Sequence, residues 1–82
     1  VKLSFYVPDH VGLGSLKEKV GEVVRLSPYI ALDRPVHIFF EQSFEDGQAI
    51  PKLVVEVYLN WFEDIKKFKS ETGQQVMDLF QN

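Results

Sequence analysis

Cysteine is absent from this chain, which excludes a disulfide framework and any thiolate metal site and is compatible with a reducing compartment. Histidine is nearly absent too. His10 falls in a turn-rich stretch and His37 in an alternating one, without the HxH or HxxxH spacing that brings two imidazoles onto one metal. Asp9 and His10 are adjacent, but an acid-base pair also needs a positioned third group, and no nucleophile motif accompanies them. The expectation is a protein that is not an enzyme and carries no cofactor. No apolar run approaches the ~20 residues that span a bilayer, and no signal-peptide pattern precedes the first strand-like segment. Basic residues number 9 against 12 acidic ones, for a net charge of -3. They are scattered, which argues against the one-sided positive field that a nucleic-acid surface requires.

What is present describes an ordinary globular chain. Its 82 residues are 45% hydrophobic and 26% charged, so residues 1–82 are expected to form one domain with a single core. The sequence starts at Val1 without an initiator Met and stops directly after a helical pattern, giving the expectation of a fragment cut from a longer protein.

Alternation from Val1 to Val7 predicts a first strand, with Val1, Leu3, Phe5 and Val7 on one face. After the turn-rich "PDHVGLG", Ser15 and Glu18 have the spacing of a capping box opening a helix. Leu16, Val20, Val23 and Val24 then recur at helical period until Ser27-Pro28. Asp46-Gly47 between "VHIFFEQSF" and "LVVEVYLNWF" predicts a hairpin with a type I′ turn. That turn sets Val36 against Val57, Ile38 against Val55 and Phe40 against Leu53 on one face, and His37 against Glu56, Phe39 against Val54 and Glu41 against Lys52 on the other. From about Asp64, the residues Ile65, Phe68, Thr72, Val76, Leu79 and Phe80 keep a helical period.

The order is therefore strand, helix, strand, strand, helix. Connection rules and the apolar third strand favour a two-layer, ferredoxin-like α+β sandwich with strand order 2-3-1 and both helices on one face. The sheet side of its core is expected to hold Val1, Leu3, Phe5, Val7, Val36, Ile38, Phe40, Leu53, Val55, Val57 and Leu59. Trp61 and Phe62 are expected to lie as a lid on that core.

The other sheet face then carries Tyr6, Phe39, Val54 and Tyr58 within a polar frame. An uncovered apolar patch of this kind marks an interaction surface. The plainer account is that aromatic residues favour strands and are often half-exposed. Glu45-Asp46 reads as a hairpin tip rather than a calcium loop, and Lys66, Lys67 and Lys69 as the wet face of the last helix or a contact with anionic lipid.

Two family resemblances bear on function. "DHVGLGSLKEKV" resembles the Asp-x-x-Gly-Leu turn of ACT domains, with Asp9, Gly12 and Leu13 in the matching positions. That similarity implies a small-molecule-sensing regulatory domain with those three residues at its ligand loop, although no pattern for that fold's fourth strand follows. From Ser27 onward, "SPYIALDRPVHIFF", "VEVYLNWFED" and "KSETGQQVMDLF" look like the carboxy-terminal cytoplasmic domain of small-conductance mechanosensitive channels. The likeness lies in Pro28 to Ile30 after the helix, the aromatic strand end at Trp61, and Ser70-Glu71 before an apolar helix. The "IPFPQ"-like ending common in that family is not found here. This resemblance implies a homo-oligomer, a heptamer, in which the domain is a structural wall segment of a vestibule. It also implies a place on the cytoplasmic side of the cell inner membrane, held there through preceding membrane segments.

Overall fold

The computed structural model describes residues 1–81. Asp46 and Gly47 both take positive φ, 50° and 79°, the backbone that a two-residue turn needs to match the right-handed twist of its strands. The turn joins β2 (His37–Glu45) to β3 (Gln48–Glu56), and the register runs from Glu45↔Gln48 to His37↔Glu56. Ile38 meets Val55, Phe39 meets Val54, and Glu41 meets Lys52, as the turn chemistry predicts.

β1 (Lys2–Tyr6) pairs antiparallel with the other side of β3, giving the order β1-β3-β2. Pro51 is tolerated because antiparallel backbone groups alternate sides. Its carbonyl accepts the Val7 N–H, so its missing donor faces the end of the β1 ladder and β2 loses no bond.

The sheet residues Leu3, Leu53, Val55 and Val57 share one core with Leu16, Val20 and Val24 of α1 (Leu13–Arg25) and with Phe68, Val76 and Phe80 of α2 (Ile65–Phe80). Both helices therefore cover the same face, and the molecule is a small two-layer α+β structure. Phe5 meets Phe80 edge to face, with ring centroids 6.1 Å apart, a favoured aromatic geometry. Among the described residues no buried side-chain nitrogen or oxygen lacks a hydrogen-bond partner.

Three expectations fail, each for a physical reason. The first helix begins at Leu13 with Gly12 as N-cap and no capping side chain, so Ser15 lies inside the helix and makes no box. Phe40 is exposed and stands outside the core. Its rung partner Leu53 is fully buried on the central strand, and Phe5 on the far side of that rung packs on Phe80, so the helices reach this rung; Phe40 is left out because β2 is the edge strand and the shared core is centred on β3 and β1. Trp61 and Phe62 are no lid, being 67% and 80% exposed at the start of a single 3₁₀ turn, Phe62–Asp64.

Gly73 sits in the middle of α2 with open space where a Cβ would project. Gly73→Ala should raise stability by about 0.8–1 kcal/mol, because glycine is a poor helix former and nothing blocks the methyl group. A urea midpoint that stays put or falls would show a restraint on this helix that its surroundings do not reveal.

Candidate functional site

The uncovered sheet face is built from alternate residues of all three strands. Val54 lies at its centre, between Ser4 of β1 and Phe39 of β2. It is 0% exposed yet lies outside the core that the helices share. The side chains of this face therefore shield it themselves. Tyr6 stands one rung away opposite Lys52, whose ammonium lies over the Tyr6 ring at 5.8 Å from the centroid, a cation–π contact. The Tyr6 hydroxyl donates to Glu45 Oε1 at 2.9 Å, tying β1 to the hairpin arm.

Tyr58 is separate from this group. Four residues beyond Val54 along the strand is about 13 Å, and Lys2, His37 and Glu56 line a shallow groove with Tyr58 at that end. Arg34 covers the Tyr58 ring at 5.5 Å. The structure thus brings Tyr6, Phe39 and Val54 together and places Tyr58 at the far end of the same face. Of the four, Tyr6 and Tyr58 are about half exposed, Phe39 less so, and Val54 is the floor rather than the contact surface.

Asp9, Gly12 and Leu13 lie together in the turn that opens α1, all exposed. Val11 N–H donates to the Pro8 carbonyl, and His10 Nε2 bonds the Phe80 carbonyl at 2.7 Å. The turn is thereby anchored to the end of α2. No side chain caps the helix N-terminus, but the same three residues bring no side-chain cation to it.

A second surface region went unseen in the sequence. The loop after α1 joins the segment after β3 through the bridge Ile30↔Leu59, Ala31 N–H donating to the Tyr58 carbonyl at 2.8 Å, and Asn60 Nδ2 donating to the Ile30 carbonyl at 3.1 Å. Leu26 and Leu32 line an open groove here with Arg25, Asp33 and Asn60. They are 83% and 82% exposed, and Trp61 and Phe62 follow directly. Helical period held one signal for Leu26, which falls about 100° off the stripe formed by Leu16, Val20, Val23 and Val24.

Beside this region a cleft of about 200 Å³ separates the end of α1 from α2, lined by Val23, Pro28, Tyr29, Glu71 and Gln75. The Tyr29 hydroxyl donates to Glu71 Oε2. That bond, with burial and the charges of Glu71 and Asp64 behind it, raises Tyr29 above the ordinary phenol value of 10.0. A raised folded value means that the unfolded chain releases this proton first. The bond's contribution is therefore complete below about pH 10 and is lost as pH climbs through the folded value. Tyr29→Phe should flatten that part of the alkaline decline in stability, read from urea midpoints between about pH 8 and about pH 11. An alkaline limb identical to that of the parent would contradict the assignment.

Among the described residues, no group of three His, Asp or Glu could hold a metal ion, and no helix is long and apolar enough to cross a membrane. No family model, curated protein or solved structure matches this chain.

Proposed function

We propose that this chain is a structural, self-assembling α+β module. It is a wall segment of an oligomeric assembly of the kind formed by the cytoplasmic domains of mechanosensitive channels. In that reading the strand and helix order is the ferredoxin-like one, the assembly is a homo-oligomer of channel type, a heptamer, and the domain stands on the cytoplasmic side of the cell inner membrane below preceding membrane segments. It supports the vestibule and carries out no chemistry.

The observation that supports this most is the amount of apolar surface left outside. Among the described residues ten large hydrophobic side chains are exposed, and Leu26, Leu32, Phe44, Trp61 and Phe62 are each 67% exposed or more. Scattered single hydrophobics are ordinary, and Phe44 stands apart at the hairpin tip, but Leu26 and Leu32 line one groove with Asn60, directly before Trp61 and Phe62, and such a grouping marks a surface made for a partner. The half-exposed Tyr6 and Tyr58 extend that character onto the uncovered sheet face.

The double substitution Phe39→Lys, Tyr58→Lys tests the sheet face. Both side chains lie outside the shared core, so the far-UV spectrum should be preserved while assembly of the full-length polypeptide weakens, as measured by sedimentation. Assembly that proceeds unchanged with both lysines in place would remove this face from the interface.

A further inference from the structure

The two edges of the sheet are not equally protected. The Pro51 carbonyl of β3 and the Val57 N–H just after that strand face β1, and antiparallel backbone groups alternate sides. The residues of β3 between these positions therefore bond β2 through the rungs at His37, Phe39, Glu41, Ser43 and Glu45, and Ile38, Phe40, Gln42 and Phe44 turn their N–H and carbonyl groups to the outer edge. Among the described residues no backbone hydrogen bond outside the sheet ladder reaches those groups. Such a row is a template for another strand, which native sheets blunt with a short edge, lysine, proline or a bulge. β1 is five residues long and begins with Lys2. β2 has nine residues, no lysine, no proline and an unbroken one-to-one register with β3. Its two acids are matched within the chain, Glu41 opposite Lys52 and Glu45 accepting from the Tyr6 hydroxyl.

The helix-side residues of this edge are equally unfinished. Phe40 is 37% exposed and Phe44 73%. At the other end of the strand a hollow of about 430 Å³ lies between α1 and β2, lined by Val36, His37 and Ile38 and by Lys17, Glu18 and Arg25 of α1. No residue of β3 lines it, so it opens toward the outer edge.

We propose that β2 pairs antiparallel with β2 of a second copy, about a two-fold axis through Phe40 and normal to the sheet. The occupant is a second copy because the strand complements itself at this register. The two Phe40 residues meet on the axis, Ile38 of each copy bonds Gln42 of the other, and Phe44 falls opposite Val36 of the other copy, at the hollow beneath its α1. An axis through Glu41 instead would oppose two carboxylates. One through Gln42 would set Asp46 against Ile38, and one through Phe39 would carry Phe44 past the hollow to Arg34. The helices of both copies then lie on one side of a continuous sheet, joined by strand addition. This joint is isologous and closes on two copies. It goes beyond the ring proposed above and does not depend on it, because a two-fold contact sits between rings and never within one.

Phe40→Cys tests the axis, since the chain has no cysteine of its own and opposed hydrogen-bonded residues stand about 5.5 Å apart at Cα, within disulfide range. Under mild oxidation it should form a covalent dimer at least about tenfold faster than Phe44→Cys. Position 44 is the more exposed, so chance collision would favour it, but in the pair it lies about 27 Å along the strands from its own copy. Gln42→Pro removes an N–H that faces outward, so β2 keeps its bonds to β3 and the parent's circular dichroism should be retained. The two-fold repeats that loss, and association should weaken about 30-fold or more by sedimentation equilibrium. Should Gln42→Pro fail to fold, the cross-linking comparison carries the decision alone. Cross-linking at position 40 no faster than at 44 overturns the pairing. A parent that stays monomeric up to about 1 mM overturns it too, and leaves the β2 edge to a strand of another protein. A parent that sediments as seven copies, with Gln42→Pro doing the same, overturns the edge joint while the ring stands. A parent dimer that Gln42→Pro dissociates supports the joint without the ring.

Discussion

Phe68→Ala should cost about 3–5 kcal/mol of unfolding free energy, among the largest losses available to a single truncation in this chain. Phe68 is the largest of the fully buried side chains and is 0% exposed. It belongs to a stripe of α2 that recurs every fourth residue, Phe68, Thr72, Val76 and Phe80, all buried. Side chains at that spacing share one helix face, and here that face is what holds α2 onto the sheet. Deleting the ring removes its transfer free energy and leaves a cavity that the remaining core residues fill only in part, because interiors are close-packed and their side chains already occupy their rotamers. A domain of this size has about 4–12 kcal/mol to lose. The variant should therefore be marginal at room temperature, with a much lower urea midpoint at unchanged slope. Phe44→Ala provides the contrast, since that ring is mostly in water and its loss should change stability by no more than about 0.5 kcal/mol. A small effect at Phe68 would mean that α2 is not seated on the sheet in solution.

The contrast between those two phenylalanines also shows where reading the sequence works and where it stops. Strand alternation assigns Phe40 to the helix-covered side as firmly as Ile38, and the register bears this out, with Phe44 falling on the same side four residues further along β2. Whether a residue on that side is buried depends on where the helices lie across the sheet: Leu53 on the central strand is sealed while Phe40, opposite it on the edge strand, is exposed. The helices' placement is a property of other parts of the chain, so the strand's own pattern carries no trace of it. The same limit explains Trp61 and Phe62, whose apolar character suggests a lid although no element lies above them. The Asp46-Gly47 turn was legible because its chemistry is local: two residues with positive φ fix the whole register. Ser15 and Glu18 have capping-box spacing by coincidence of composition, and the helix begins three residues earlier than such a box would set it, at Leu13 behind Gly12. For the candidate surface, alternation correctly set Tyr6, Phe39 and Val54 on one face. It could not show that Val54 is sealed while its neighbours are open, nor that Leu26 and Leu32 line one groove with the distant Asn60.

Val54→Asp tests that sealed position, and the expected result is loss of the folded state or at least about 3 kcal/mol of stability. No helix covers this face, which would suggest tolerance. Full burial says otherwise, because the short aspartate cannot carry its carboxylate past the surrounding side chains into water as a lysine would. The charge would be held between Ser4 and Phe39 with no cation placed to meet it, since Lys52 already lies over Tyr6. Ser4→Asp is the matched control. It stands on the same rung and the same face but is exposed, so it should change stability by about 0.5 kcal/mol at most. The pair separates two pictures of the face. A severe effect at Val54 with none at Ser4 makes Val54 the floor that holds Tyr6 and Phe39 in position, so that a partner touches the aromatics and never the valine. Equal, mild effects would mean that water reaches Val54, and the contact surface would then run unbroken across the central strand.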